Sequence, residues 1–415
     1  MKMDLHNKFT KKVLAIILLF IIVSCSMENK KNYHNGSFGY DVEFLNKRDS
    51  NLIILKSEDS QSQIAISAKY QAKVFTSTAN GLKGQSLGFI GYDALSSSIL
   101  DEHMNAYGGE NRFWLGPEGG QYSLFFEKGA EQIYDNWHKR KPRDSEQWPL
   151  VNHNDANVKM KKKIILMNYL HVELKLEAER EIRLFNNEQI QKELGLNNLQ
   201  KIHTVGYSTS NSVKNLNDFD WDESTGSVCI WILDMFIPAP KAITFIPYSS
   251  GTTTLKGAVA TTDYFGDIPK SHLKISDSFV FLKTDGNYRS KLGLNEKRTI
   301  GIAGNYDPDS KRLTVITFDV NENDVYLNQE WNPNKAPLLG DAMNAYNDGP
   351  LEDGSIMGPF FELESVSPAA FISPNESISH LHNVFYFLGE EKDLNPIALQ
   401  LFNLSLENIK NTFND

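Results

Sequence analysis

The fold class is decided by the stretch Val172-Glu173-Leu174-Lys175-Leu176-Glu177-Ala178-Glu179, in which apolar and polar side chains alternate throughout. Successive side chains of a β-strand point to opposite faces of a sheet, so this pattern predicts a strand with one buried and one wet face. The Glu and Leu content would also suit a helix, but a helix would repeat its apolar residues every three or four positions. The alternation therefore favours the strand.

Short segments of the same kind occur along most of the chain. They are rich in β-branched or aromatic residues and are separated by turn-forming residues. The predicted strands include residues 41–45, 52–55, 64–68, 72–76, 113–115 and 122–126. The predicted helices are few: residues 187–194, 396–402 and 406–413, the last with Ser405 as its N-cap. Many strands and few helices predict an all-β protein, a large antiparallel sandwich.

The N-terminal segment is typical of a secretory signal. Lysines at positions 2, 8, 11 and 12 precede an apolar run at residues 13–23, which is too short to span a bilayer as a helix. The run ends in Ile22-Val23-Ser24-Cys25, which resembles the lipobox of bacterial lipoproteins. That resemblance implies cleavage before Cys25 and attachment of a lipid to it. The alternative is an ordinary signal peptide in which Cys25 is incidental.

We therefore expect a signal peptide at residues 1–24, a lipid-anchored tether at 25–37 and one β-sandwich domain at 38–415. The anchored body would belong to the cell envelope, and Ser26 favours the outer membrane. Without residues 1–24 the chain has 38 basic and 51 acidic residues, a formal charge of −13. Such an acidic body does not suit nucleic acid as a partner. The other cysteine, Cys229, lies in an apolar run and is expected to be a small buried hydrophobe.

An acid pair near the C-terminal end is the first candidate site. If residues 360–368 form a strand, Glu362 and Glu364 project from one face while Leu363 points into the core. Two adjacent carboxylates are costly unless a proton, a cation or a polyhydroxylated ligand lies between them. The preceding run, 340–350, is predicted to be a loop because it ends in the turn residues Asn-Asp-Gly-Pro. Its polar residues are candidate ligand contacts: Asp341, Asn344, Tyr346, Asn347 and Asp348.

A second cluster lies at residues 108–121, where Arg112, Trp114 and Glu118 occur among five glycines. Glycines let a backbone approach a ligand closely, and a tryptophan face beside charged groups suits a sugar ring. Alternatively, Arg112 pairs with Glu110 or Glu118 and only fixes a turn. Neither cluster can bury its charges alone, so we expect the two clusters to meet, with Arg112 facing Glu362, Glu364 or Asp348.

The histidines leave several interpretations open. His380 and His382 alternate and so share one strand face. With Glu362 and Glu364 they could bind a divalent cation, form an acid–base pair, or simply cap an exposed sheet face. His203 lies on a predicted strand, where an isolated histidine is usually a hydrogen-bonded structural residue.

Three motifs resemble a family of bacterial lipoproteins of unknown function that is related to the galactose mutarotase-like (aldose 1-epimerase) superfamily. They are NRFWLGPEGGQ (111–121), NAYNDGP (344–350) and FELESVSP (361–368). The resemblance implies a β-supersandwich whose concave face binds a mono- or oligosaccharide and requires no cofactor. It also implies a late-strand glutamate, here Glu362 or Glu364, as the base that deprotonates an anomeric hydroxyl. The histidine that protonates the ring oxygen in such enzymes has no clear counterpart in this sequence. His203 and His171 are the candidates for that role.

Three functions are consistent with this pattern: a sugar-processing enzyme of the epimerase type, a non-catalytic carbohydrate-binding lipoprotein, and a structural envelope protein. Convergence of the two clusters with a histidine one sugar ring away from a glutamate would favour the enzyme. Convergence without a histidine would favour binding, and dispersal of the clusters would favour a structural role.

Overall fold

The computed structural model describes residues 33–139, 146–351 and 353–414. Within them, antiparallel strands form two sheets. The strands are β1 Ile53–Lys56, β2 Gln63–Ser67, β3 Lys73–Thr78, β4 Asn111–Gly116, β5 Leu150–His153, β6 Asn157–Met167, β7 Glu173–Leu184, β8 His203–Asn215, β9 Cys229–Phe236, β10 Ile243–Pro247, β11 Leu273–Ile275, β12 Phe279–Lys283, β13 Ser290–Asn295, β14 Ile302–Asp307, β15 Arg312–Phe318, β16 Asp341–Asn347, β17 Phe361–Val366 and β18 Ser377–Leu388.

The helices in the described residues are short. They are α1 Phe38–Asn46, α2 Tyr92–Ser96, α3 Asn187–Leu194, α4 Thr253–Lys256, α5 Glu391–Phe402 and α6 Leu406–Lys410. Single 3₁₀ turns occur at Gly81–Lys83 and Tyr134–Asn136. In the part of the chain described here, no helix is both long and apolar enough to cross a bilayer.

The two sheets are a sandwich. The eight-stranded sheet has the order β1-β2-β3-β4-β9-β17-β16-β13, and the ten-stranded sheet has the order β11-β12-β10-β14-β15-β18-β8-β7-β6-β5. One large apolar core lies between them and draws on both sheets, for example Phe113 and Leu363 on one side and Leu176 and Val213 on the other. The predicted all-β antiparallel sandwich, the fold that the family resemblance implied, is confirmed.

The patterns behind the predicted elements explain most of what is observed. β7 buries Leu174, Leu176 and Ala178 and leaves the residues between them accessible, as its alternation predicted. α3 has the predicted bounds, and Ser405 caps α6 by accepting a hydrogen bond from the Asn408 N–H. α5 and α6 cover a second apolar cluster on the outer face of the ten-stranded sheet. As predicted, Cys229 is a buried, unpaired thiol.

Three predicted elements were wrong. Residues 41–45 are helical within α1, because Ser37 caps the helix by accepting a hydrogen bond from the Tyr40 N–H. Residues 122–126 form a buried irregular segment whose backbone bonds are local, such as that from Leu124 N–H to the Pro117 carbonyl. Residues 341–347 are not a loop but the strand β16, because β13 and β17 pair with it on both sides.

Candidate functional site

A pocket opens on the face of the eight-stranded sheet that points away from the ten-stranded sheet. Its cavity volume is about 130 Å³, which is below the usual range for sites that enclose a drug-sized ligand. Four tryptophans and five charged residues are among those that line it: Trp114, Trp137, Trp231, Trp331, Arg112, Glu118, Arg289, Lys291 and Glu362.

Strand register brings the floor of this pocket together. Directly opposed residues of an antiparallel pair point to the same face. Trp114 on β4 lies opposite Trp231 on β9, and Glu362 on β17 lies opposite Tyr346 on β16. Tyr346 is in turn opposite Lys291 on β13. Five neighbouring strands, β4, β9, β17, β16 and β13, therefore each contribute to the same outer face.

Arg112 forms an ion pair with Glu362 across this floor. Both side chains are largely buried, and the hydrogen bond runs from Arg112 Nη2 to Glu362 Oε1. Burial raises the pKa of Glu362 to about 7, because desolvation and the nearby Glu364 carboxylate outweigh the favourable charge of Arg112. Glu362 can therefore gain or lose a proton near neutral pH.

Glu364 lies deeper and is fully buried. Its Oε2 atom accepts hydrogen bonds from Trp231 Nε1 at 2.9 Å and from Lys291 Nζ at 3.0 Å. Burial disfavours the charge of Lys291, but the carboxylates of Glu364 and Glu118 overcome this, and the pKa of Lys291 is raised. Glu118 accepts a hydrogen bond from Trp137 Nε1 at 3.1 Å, and burial raises its pKa as well. The floor is thus a buried cluster of opposite charges held by indole N–H groups.

Several buried polar atoms of this floor have no hydrogen-bond partner among the described residues. They are Arg112 Nε, Trp114 Nε1 and Glu364 Oε1. An unsatisfied buried donor or acceptor costs about 1–3 kcal/mol. Arg112 and Trp114 line the pocket, so a ligand with acceptor groups can satisfy these two donors, whereas Glu364 lies beneath the lining residues.

The rim is built around Tyr346. Its hydroxyl donates to Asp348 Oδ1 at 2.9 Å and accepts from Arg289 Nε at 3.4 Å. Asp348 Oδ2 accepts the Gly358 N–H at 2.7 Å, and burial raises the pKa of Asp348. The guanidinium of Arg289 lies 3.8 Å from the centre of the Phe265 ring.

The structure brings together most of the residues that the sequence singled out. The clusters at 110–121 and 341–364 meet as predicted, with Glu362 and Glu364 on one strand face and Leu363 in the core. The alternative pairing of Arg112 with Glu110 is wrong, because Glu110 points inward and accepts hydrogen bonds from Ser77 and Tyr207.

Of the five polar residues predicted as ligand contacts at 341–348, Tyr346 lines the pocket, and the other four are not among the described lining residues: Asp341, Asn344, Asn347 and Asp348. Asn347 lies on the opposite face of β16, where its side chain bonds to the Gly286 N–H and the Tyr288 carbonyl. Asn344 is on the pocket face but is buried against the hydroxyl of Tyr264, which in turn donates to Asp341. Burial raises the pKa of Asp341 to about 6.

The predicted grouping of His380 and His382 with the two glutamates is wrong. Both histidines lie between the sheets, where Ser365 Oγ is 2.7 Å from His380 Nε2 and 2.7 Å from His382 Nδ1. His382 Nε2 is 2.7 Å from Asp234 Oδ2. Burial lowers the pKa of His380 to about 3, so this ring is neutral.

The physical reason is the alternation of β17. Ser365 and Leu363 point into the sandwich, so the strand itself separates the histidines from Glu362 and Glu364 on its other face. The histidines therefore neither cap an exposed face nor form a cation or acid–base site with the glutamates. Among the described residues, no group of three or more His, Cys, Asp or Glu side chains is arranged to hold a metal ion.

The other candidate histidines are also outside the pocket. His203 is exposed at the start of β8 in the ten-stranded sheet, opposite Leu388. His171 is in the turn between β6 and β7, with a positive φ of 71°. No histidine occurs among the described residues that line the pocket.

Sequence reasoning missed Lys291, Arg289, Trp231 and Trp331. Lys291 sits in an alternating segment that looks like any strand with a wet face, and Trp231 sits in an apolar run that looks like core. Lys291 lies between Ser290 and Leu292 on the edge strand β13, and nothing in this local sequence distinguishes it from an ordinary surface lysine.

Comparisons with solved structures return proteins of low sequence identity. The Slr1438 protein from Synechocystis sp. PCC 6803 is 13% identical, with 81% of this chain and 95% of that chain covered and a TM-score of 0.48. A galactose mutarotase-like protein from Lactobacillus casei ATCC 334 is 11% identical, with coverages of 81% and 100% and a TM-score of 0.45. A galactose mutarotase related enzyme from Lactobacillus acidophilus is 8% identical, with coverages of 81% and 97% and a TM-score of 0.44. Such scores carry no information about activity.

No curated protein matches the chain at a significant level. A family of unknown function, DUF6786, matches residues 36–413 and so covers nearly all of the sequence. The resemblance to a family of unknown function that the three motifs indicated is thereby confirmed, and the chain belongs to the DUF6786 family.

Proposed function

We propose that this protein binds a carbohydrate in the pocket on the eight-stranded sheet. The observation that carries the proposal is the floor itself, where buried charges and unpartnered donors and acceptors lie between tryptophans. A sugar combines apolar ring faces with hydroxyl groups that both donate and accept, and so matches such a surface. The sequence resemblance implies the same class of ligand.

Each group has a definite task in this proposal. The Glu362 carboxylate accepts a hydrogen bond from a sugar hydroxyl, while Arg112 Nε and Trp114 Nε1 donate to others. Arg112 and Lys291 hold the carboxylates of Glu362 and Glu364 in place through ion pairs. The indole rings supply the apolar surface against which a pyranose ring packs. Binding of this kind needs no cofactor.

A second candidate is acid–base chemistry on the bound sugar, as in epimerases. It is favoured by one observation, the pKa of about 7 for Glu362, since a general base works best near the ambient pH. Because no histidine lines the described pocket, the proton donor to the ring oxygen would have to be Glu118 or Lys291. We rank binding without turnover first for that reason.

Replacing Glu362 with glutamine tests both candidates. Glutamine keeps the shape but removes the charge, so sugar affinity should fall about tenfold, the effect of losing a charge-assisted hydrogen bond. Quenching of the four pocket tryptophans reports binding, and NMR exchange between sugar anomers reports turnover. In the enzyme alternative, Glu362→Gln also abolishes anomer exchange.

The matched control is Glu188→Gln on the exposed face of α3, which should bind like the unaltered protein. Unchanged affinity and unchanged exchange in both Glu362→Gln and Glu364→Gln would remove the basis of the proposal.

We also propose that the chain is held in the cell envelope by a lipid on Cys25, with the pocket domain displayed beyond the tether. The support is the sequence alone, because residues 1–32 lie outside the described residues. A Cys25→Ser protein should leave the membrane fraction or accumulate as an uncleaved precursor. Normal processing together with retention in membranes would contradict the anchor.

A further inference from the structure

Building on the proposed carbohydrate site, we propose that its sugar ligand carries an oxyanion substituent that Arg289 binds at the rim. The substituent is a carboxylate, a sulfate or a phosphate, groups that share a pair of anionic oxygens which a guanidinium can bind through two parallel N–H bonds. The proposal adds the ligand's charge to the proposed function and assigns a specificity role to a residue that the sequence did not single out.

The side chain of Arg289 is held in one orientation before any ligand arrives. One face of its guanidinium lies on the Phe265 ring, and its Nε donates to the Tyr346 hydroxyl. The stacking contact uses one face of the guanidinium and the hydrogen bond uses Nε. The two terminal nitrogens, Nη1 and Nη2, are then the groups left to bind a ligand. A guanidinium fixed in this way loses little freedom when it binds an oxyanion.

The other two cations of the pocket are already neutralised. Arg112 is paired with Glu362, and Lys291 with Glu364. For Arg289, by contrast, no carboxylate of residues 33–139, 146–351 or 353–414 lies within 4.0 Å. The nearest acid on the rim, Asp348, has both oxygens engaged by the Tyr346 hydroxyl and the Gly358 N–H. Among the described residues that line the pocket, Arg289 is therefore the half-buried cation that has no carboxylate partner and can bind an anionic group of a ligand.

The position of this charge suits a substituent on a sugar whose ring lies on the floor. Arg289 and Lys291 both line the pocket and are separated by one residue. Alternate residues of an extended chain are about 7 Å apart, which is roughly the length of one pyranose ring. A ring contacting Glu362 and Trp231 on the floor can thus present an exocyclic anion to Arg289.

The test compares matched neutral and anionic sugars on the full chain by tryptophan fluorescence. The pairs are glucose with glucuronic acid, galactose with galacturonic acid, and glucose with glucose 6-sulfate and glucose 6-phosphate. We expect at least one anionic probe to bind about tenfold or more tightly than its neutral partner, and the preferred probe identifies the anion. The preference should weaken as salt is added.

Three variants locate the effect. Arg289→Gln should abolish the preference, so that an anionic sugar and its neutral partner bind with equal affinity, and Arg289→Lys should restore it only in part because the planar fork is lost. Arg183→Gln, an exposed arginine on β7, is the matched control and should keep the preference.

The outcomes separate this inference from the function on which it rests. If neutral sugars bind as tightly as every anionic partner, the oxyanion site is wrong while carbohydrate binding stands. If no sugar binds, both are wrong. A preference that survives in Arg289→Gln would overturn the assignment of Arg289.

Discussion

Replacing Asp234 with alanine is expected to lower the free energy of unfolding by about 3–5 kcal/mol, the usual cost of removing one partner from a buried ionic network. Asp234 is fully buried on β9, where it accepts hydrogen bonds from Asn111 Nδ2 at 2.6 Å and lies 2.7 Å from His382 Nε2. Asn111 also accepts a hydrogen bond from the buried Arg180. Burial lowers the pKa of Arg180 to about 10, and the Asp234 carboxylate helps to keep its charge. Without Asp234, that charge loses its nearby carboxylate.

Urea unfolding monitored by circular dichroism measures this effect. The control is Asp277→Ala, an exposed aspartate, which should change stability by no more than about 0.5 kcal/mol. If Asp234→Ala lowered the free energy of unfolding as little as the control does, the buried polar groups around Asp234 would contribute little to the stability of the sandwich.

Alternation is what made part of the site predictable. In FELESVSP the period of two was enough to place Glu362 and Glu364 on one face and Leu363 on the other, as observed. The same rule placed His380 and His382 together but could not say which face of the sandwich they share. That choice depends on the partner sheet, which supplies Asp234 and Ser365 as buried hydrogen-bond partners.

What the sequence could not provide is the order of the strands. Lys291 and Trp231 reach Glu364 only because β9, β17, β16 and β13 are consecutive in one sheet, although the contacts span 73 and 133 residues of sequence. Local patterns carry no information about such long-range neighbours. The turn residues at 347–350 correctly indicated a chain reversal, yet the residues before them pair on both sides and become a central strand.

Replacing Lys291 with methionine should destabilise the protein by about 3–5 kcal/mol at pH 8 and by much less at pH 5. Lys291 is the cation that faces Glu364 and Glu118, and methionine keeps its apolar stem over Trp231 but removes the charge. Burial raises the pKa values of Glu118 and Glu362 and Lys291 lowers them, so without this cation both values rise further above the unfolded value near 4.5. Acids with a raised folded-state pKa favour the folded state at low pH, and this contribution is lost as the pH rises through that pKa.

The double variant Lys291→Met/Glu364→Gln isolates the cause. Removing the carboxylate that Lys291 neutralises should recover part of the stability lost in Lys291→Met at pH 8, because no uncompensated charge is left at Glu364. Lys297→Met, exposed in the turn that follows β13, controls for the loss of a lysine and should be close to neutral. If the two substitutions add at pH 8 and the loss in Lys291→Met is independent of pH, Lys291 is not the counterion of the acid pair.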